Sequence, residues 1–277
     1  MQLRCFVCIK FNMLEIADLH NDFLTSNAVC NDDVASFINY AVWSTYLSEA
    51  ETFSKADSKN VQTDGIYSIE DCSNINDFDA AFFKGFEIFS LTWNFDNSLG
   101  GGAFGQNIPL TNKGKKVIKT LNAHLKITDV SHCSYKTFYD IINISERVIA
   151  THSCVYSLNS HKRNLKDEQI NEIIERKGLI GITLVSEFLT SNDYATSDDV
   201  LRHIDYIVQK WGVDYVGIGS DFFGTDKLPV DIKNYKNYDI IVEKLLKIGY
   251  NNSDIEKIFY NNFINYIGVN RNERYLR

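Results

Sequence analysis

Glu15-Ile16-Ala17-Asp18-Leu19-His20-Asn21-Asp22 sets a histidine and an aspartate two residues apart at the end of an apolar run. Side chains at i and i+2 of a β-strand point to the same face. Read as a strand, the stretch projects His20 and Asp22 together into one site. An imidazole beside a carboxylate is half of a zinc shell. The pattern recurs, because His132 and His152 also follow short β-branched, apolar runs. The fold turns on whether these runs are strands of one sheet.

Eight segments read as strands: Ile16–His20, Phe37–Ser44, Gly65–Glu70, Phe86–Thr92, Leu125–Ser131, Val148–Thr151, Leu179–Leu184 and Tyr215–Ser220. Val148-Ile149-Ala150 and Ile180-Gly181-Ile182-Thr183-Leu184 lack a polar face, as parallel strands covered on both sides do. Helical patterns separate most of them. They are Ile75–Lys84, Asn112–Ala123, Tyr135–Asn143, Asp167–Lys177, Ser197–Trp211, Tyr238–Ile248 and Ser253–Ile267. Eight strands with intervening helices over about 250 residues predict an α/β fold of the (β/α)8 TIM-barrel type. A doubly wound open sheet is the competitor, but no G-x-G-x-x-G follows the first strand. Gly100-Gly101-Gly102 precedes no immediate helix and reads as a mobile loop.

The bulk numbers agree with one such barrel. The chain has 277 residues, 44% of them hydrophobic, which suffices for a full core. Only 2 prolines occur, without a Ser/Gly-rich linker, so residues 1–277 read as a single domain. A formal net charge of -8 argues against a nucleic-acid partner. Among the 6 cysteines, Cys5-x-x-Cys8 has no second C-x-x-C to complete a zinc knuckle, so reduced thiols are expected. Arg4 and Lys10 bracket a very short apolar run, unlike a signal peptide. No stretch reaches the ~18 apolar residues of a membrane span. Asn270 to Arg277 is charged, unlike the tail of a lipid-anchor signal. These features predict a cytoplasmic protein with no membrane partner.

In a barrel the chemistry gathers at the C-terminal ends of the strands. His20 and Asp22 end the first, Glu70 the third, and Trp93 and Asn94 the fourth. His132 ends the fifth, His152 the sixth and Asp221 the eighth. The second and seventh contribute nothing obvious. The other histidines, His124, His161 and His203, fall at a helix end, in a loop and within a helix, where structural roles are expected. One catalytic zinc takes about three protein ligands and an open position. Three histidines and two carboxylates exceed that, which predicts two zinc ions with one carboxylate shared. Two metals ~3.5–4 Å apart can hold a hydroxide between them and polarise a carbonyl. Asp221 is then free to move protons, or it merely caps the turn before Phe222-Phe223-Gly224. Arg163, in His161-Lys162-Arg163-Asn164, could grip a carboxylate in bidentate fashion, although most loop arginines are only solvated.

These residues resemble the membrane (renal) dipeptidase family of zinc peptidases, peptidase family M19, from about Ile16 to Ile267. Asp18-Leu19-His20-Asn21-Asp22, Ser68-Ile69-Glu70, Leu91-Thr92-Trp93-Asn94 and Asp129-Val130-Ser131-His132 carry the resemblance. So do Ala150-Thr151-His152-Ser153, Arg163-Asn164-Leu165-Lys166-Asp167 and Gly217-Ile218-Gly219-Ser220-Asp221-Phe222, all in the family's order. The resemblance implies that His20 and Asp22 bind one zinc, His132 and His152 the other, and Glu70 both. It implies that Arg163 holds the free carboxylate of a dipeptide substrate, and that Asp221 faces its amine and transfers protons. A homodimer is one assembly it leaves open, and it implies tolerance of a D-residue at the second position.

The chain also departs from the family. Trp93 stands where mammalian members carry a substrate-contacting histidine; an indole donates a hydrogen bond but does not titrate. Asp71-Cys72 replaces the usual Gly-Gly after the bridging glutamate, adding a negative charge near the metals. Phe223 replaces a common aspartate, and the segment between the first two strands is short, so a reduced rim is expected. The expected function is a zinc-dependent dipeptidase. Its rivals are a two-metal amidohydrolase acting on another small amide, such as an N-acyl amino acid, and a weakened metal-binding homologue.

Overall fold

Each apolar run becomes a strand hydrogen-bonded in parallel to its neighbours in sequence: β1 Ala17–Asn21, β2 Tyr40–Thr45, β3 Gly65–Ile69, β4 Phe86–Ser90, β5 Ile127–Asp129, β6 Val148–Ser153, β7 Ile180–Ile182 and β8 Val216–Ile218. Asp18 of β1 pairs with Ile218 of β8, which closes the barrel and removes the open-sheet alternative. The computed structural model describes residues 14–26, 37–58 and 63–268. The Cys5-x-x-Cys8 pair, most of the connection after β1, with its expected short rim, and the tail from Asn270 lie outside the described residues.

Helices follow the strands from β2 onward: α1 Glu49–Ser58, α2 Phe78–Phe83, α3 Asn112–Ala123, α4 Tyr135–Ile144, α5 Asp167–Glu175, α6 Ser186–Leu189, α7 Ser197–Trp211 and α8 Tyr238–Lys247. Local chemistry sets their ends. The side chain of Thr111 accepts from Gly114 N to start α3, and Thr196 with Asp199 forms a capping box at the start of α7. The final expected helix divides into α9 Asn252–Glu256, a π-helical turn Lys257–Asn261 and α10 Asn262–Ile267. Asn262 there donates through Nδ2 to Val213 O and Val216 O at 2.7 and 2.9 Å, tying the segment to the entry of β8. Among the described residues no helix is long and apolar enough to cross a membrane.

Two expectations need correction. Leu125 does not open β5. It stands at φ 57°, largely exposed, and turns the chain after α3 while Lys126 N donates back to Leu121 O at 2.9 Å. Gly100-Gly101-Gly102 is buried and tied down, not a mobile loop. Gly101 N donates to Thr137 Oγ1 at 2.8 Å, and a Cβ on Gly102 would stand 2.5 Å from the backbone of Asn94. Close backbone approach, rather than freedom, accounts for the glycines.

The barrel interior is layered along the strands. Val42, Ile88, Ile127 and Ile149 form an apolar cluster with Tyr260, Phe263 and Ile264. Two positions further along the same strands lie Ser44, Ser90, Asp129 and Thr151, all buried. The apolar layer therefore underlies a polar one, and the candidate ligands sit at the top of that polar layer.

Candidate metal centre

The ends of β1 and β8 are zipped together. Asp221 N donates to His20 O at 3.0 Å, and Asp22 N donates to Phe222 O at 2.9 Å. This brings Asp221 beside His20 and Asp22 although 199 residues of sequence separate Asp221 from Asp22. The turn is strained: Asp221 and Phe223 stand at φ 60° and 69°, conformations that side-chain-bearing residues rarely adopt. A second pair of carboxylates supports the strands beneath. Asp18, fully buried, accepts from Ser220 N at 2.8 Å, from Ser220 Oγ and from Tyr235 OH. Asp129, equally buried, accepts from Ser90 Oγ at 2.9 Å and from Thr151 Oγ1 at 2.7 Å. These carboxylates fasten β1 to β8 and β5 to β4 and β6.

On this scaffold His20, Asp22, Glu70, His132 and His152 converge, each no more than 5% exposed. Ligand atoms of His20, Glu70 and His152 lie within 4.8 Å of one another, as do those of His20, Asp22 and Asp221. Glu70 is the hub: its Oε1 is 3.4 Å from His20 Nε2, 3.1 Å from His132 Nε2 and 3.5 Å from His152 Nε2. Each imidazole turns its other nitrogen to an oxygen that can accept. His20 Nδ1 meets Ser44 Oγ at 2.9 Å, His132 Nδ1 meets Asn94 Oδ1 at 3.0 Å, and His152 Nδ1 meets Thr151 Oγ1 at 2.8 Å. With Nδ1–H so committed, the three Nε2 atoms face inward. Arg163 Nη2, which can only donate, lies 3.0 Å from His132 Nε2 and 2.8 Å from His152 Nε2, so both nitrogens act as acceptors.

Electrostatics asks for a cation here. Burial pulls His20 down, but Glu70 first, then Asp22 and Asp221, outweigh it and hold the imidazole up at about 10. Burial, with Arg163 alongside, keeps His132 and His152 well below the usual imidazole range and hence neutral. Burial and the charge of Asp22 raise Asp221 to about 8, against the opposing pull of His20. Its side chain keeps 15% exposure and can exchange protons with the cavity. Among the described residues, His20 Nε2, Asp22 Oδ1 and Glu70 Oε1 are buried without a hydrogen-bond partner. Orphaned nitrogen and oxygen ligands of this kind, facing one another, fit a zinc-type donor set.

Above the cluster a cavity of about 310 Å³ is lined by Asp22, Glu70, His132, His152, Arg163 and Asp221, with Trp93 at its rim. The expected ligands, together with Arg163, Trp93 and Asp221, thus reach one place, with His20 beneath. The guanidinium of Arg163 is buried, so it is not a solvated loop cation; among the described residues its Nε and Nη1 have no hydrogen-bond partner. Asp71 is not among the lining residues. Its carboxylate accepts from Asn97 Nδ2 at 2.7 Å and from Ser73 N at 3.1 Å. It stands at φ 58°, in the left-handed region that glycine adopts without strain. Phe223 also lies off the cavity, edge-on to Phe23 at 5.3 Å.

Sequence reasoning missed several contributors. β2 supplies Ser44 to His20 and is followed by Tyr46 at the wall, and α6, after β7, brings Glu187 and Phe188 there. Asn94 contacts His132, whereas its neighbour Trp93 faces the mouth. His161 lines the cavity and stacks on Phe188 at 4.5 Å. Asp18 and Asp129 had one legible signal, a carboxylate inside an otherwise apolar run.

A parallel eight-stranded barrel with histidines and carboxylates gathered at the C-terminal ends of its strands defines the class of metal-dependent hydrolases. The family profile of the membrane dipeptidases, peptidase family M19, matches residues 46–272. The chain belongs to that family and is a metallodipeptidase-type hydrolase. His20 and Asp22 precede the matched stretch. A Klebsiella pneumoniae protein, known as the uncharacterized protein in the pqqA 5' region, is 30% identical over 201 residues, covering 68% of this chain and 73% of its own length. The crystal structure of the M19 dipeptidase AC superposes with a TM-score of 0.82 at 19% identity, over 92% of this chain and 98% of that one. A Rhodobacter sphaeroides metallopeptidase, crystallised with a phosphinate mimic of L-Ala-D-Ala, gives 0.80 at 18% identity over 92% and 98% of the two chains. At these identities the solved structures establish the shared fold.

Proposed function

We propose that the protein is a two-zinc dipeptidase that hydrolyses the peptide bond of dipeptides, with an L- or a D-residue at the second position. The observation that carries the reading is the inward convergence of three Nε2 atoms around Glu70, with Asp22 and Asp221 beside them. His20 and Asp22 would hold one ion, His132 and His152 the other, and Glu70 both. When bound, the ions would polarise the scissile carbonyl and lower the pKa of a water toward ~7.

The chain's own groups supply the rest. Asp221, raised to about 8 by burial and by Asp22, carries a proton near neutral pH that it can hand to the leaving amine. Arg163 keeps Nε and Nη1 free for the terminal carboxylate of the substrate. A carboxylate anchor at one end of the cavity sets the substrate length. The volume of about 310 Å³ is at the low end of small-molecule sites, in keeping with a two-residue peptide. Free thiols at Cys72, Cys133 and Cys154 support a reducing, cytoplasmic location.

The test pairs metal analysis with hydrolysis. About two zinc per chain, cleavage of dipeptides and its loss in chelator are expected. Full activity in chelator, or cleavage of N-acyl amino acids in preference to dipeptides, overturns the reading.

A further inference from the structure

Several large aromatic side chains on the strand-end loops stay partly exposed, among them Tyr46, Trp93, Phe95, Phe104 and Phe223. Single exposed aromatics need no explanation, but a group at one end of a barrel does. Two of these rings form a surface. Tyr46 follows β2 and Trp93 follows β4, and their planes lie within 8° of parallel with centroids 5.8 Å apart. Both line the cavity, 46% and 39% exposed. The pair therefore spans the end of β3, the strand that delivers Glu70. The Trp93 ring also lies 6.3 Å from that of His132, so one edge of the surface borders the candidate ligands.

The charged groups orient a substrate relative to this surface. Arg163 follows β6, whereas Asp22 and Asp221 follow β1 and β8. With the carboxylate at Arg163 and the amine at the aspartates, the first side chain departs next to β1. The neighbouring strand there is β2, which Tyr46 directly follows. The acidic groups of the cavity are already engaged: Asp22 and Glu70 belong to the ligand cluster, Asp221 faces the amine, and Glu187 pairs with Lys227 at 3.1 Å. What is left for that side chain is a flat apolar face.

We propose that the Tyr46–Trp93 surface is the subsite for the amino-terminal side chain and selects a flat, uncharged one. The preferred substrates are dipeptides that open with an aromatic residue. An aromatic ring laid on this surface gains apolar burial and offset stacking, together about tenfold or more over a methyl group. The inference rests on the dipeptidase reading.

The experiment compares kcat/KM of the zinc-loaded enzyme for Phe-Ala, Ala-Ala, Lys-Ala and Ala-Phe. Phe-Ala is expected to lead Ala-Ala by about tenfold, and Trp93→Ala and Tyr46→Ala should each erase most of that ratio. Trp93→Phe, which restores a ring, should recover it. Both residues are partly exposed, so truncation leaves the core intact. A flat panel, a lead for Lys-Ala or Ala-Phe, or a preference that survives both alanine variants overturns the subsite while the dipeptidase reading stands. Cleavage of no dipeptide overturns both.

Discussion

Thr151 Oγ1 stands 2.8 Å from His152 Nδ1 and donates its own proton to Asp129 Oδ2 at 2.7 Å. A hydroxyl has one proton. With that proton on the carboxylate, Thr151 can only accept from His152, which fixes the Nδ1–H tautomer and bares Nε2 toward Glu70. A buried carboxylate thus acts on a candidate metal ligand through one threonine.

Thr151→Val keeps the shape and removes the relay. Zinc affinity, measured by competition with a chromophoric chelator, should fall about 10–100-fold. Thr151→Ser should restore most of it. Nitrogen-15 NMR of the imidazoles should show His152 protonated at Nδ1 in the parent and redistributed in the valine variant. An unchanged tautomer with unchanged affinity would sink the relay.

Among the described residues, Glu70 is the only carboxylate within 3.5 Å of all three imidazole Nε2 atoms. Glu70→Gln preserves size and removes the charge. Zinc content is expected to fall well below that of the parent, and kcat/KM to drop roughly a thousandfold, since metal activation is worth several kcal/mol. A glutamine variant that keeps its full metal load refutes a shared ligand at this position.

Arg163→Lys keeps one charge and removes the planar fork. A charge-assisted hydrogen bond to a carboxylate contributes about 1.5–3 kcal/mol, so KM for a dipeptide should rise about 10–100-fold. The dipeptide amide, which lacks the carboxylate, discriminates the role. The parent should favour the acid over the amide strongly, and the lysine variant weakly. Equal losses on acid and amide would assign Arg163 to the histidine cluster instead.

His203 predicts an acid limit to stability. It is buried in α7, where Nδ1 accepts from Val155 N at 3.0 Å and Nε2 donates to Leu189 O at 2.9 Å. Burial lowers it from 6.5 to about 4, so the native state refuses a proton that the unfolded chain takes up. Between those values the unfolded chain binds more protons, and stability falls as pH drops from about 6.5 toward 4. From neutrality to about pH 5 the loss is roughly 2 kcal/mol. Urea unfolding at the two pH values, compared with His203→Gln, checks it. The variant should be weaker at neutral pH but less pH-dependent, and a parallel decline in both proteins rules the mechanism out.

The strands and their order were legible because barrel strands covered on both faces carry unbroken apolar runs. The strand-end rule then assembled His20, Asp22, Glu70, His132, His152 and Asp221 without any contact being known. Helix boundaries were legible where caps are local, as at Ser197–Trp211, which matches its expected range. Leu125 misled because its left-handed turn, set by the end of α3, carries no glycine to announce it.

The residue types of the metal cluster, their strand-end positions and the family they belong to follow from the sequence by itself, since they depend on local periodicity and composition. The partners of those residues do not. Ser44 reaches His20 across 24 residues, Asn94 reaches His132 across 38, and the ring of Tyr46 meets that of Trp93 across β3. Closing the barrel brings these groups into hydrogen-bond and ring contact. It also excludes the water that would otherwise satisfy them. That exclusion decides which imidazole nitrogens face inward and raises Asp221. Neither can be read from a linear chain, because both arise from long-range proximity in a medium of low polarity.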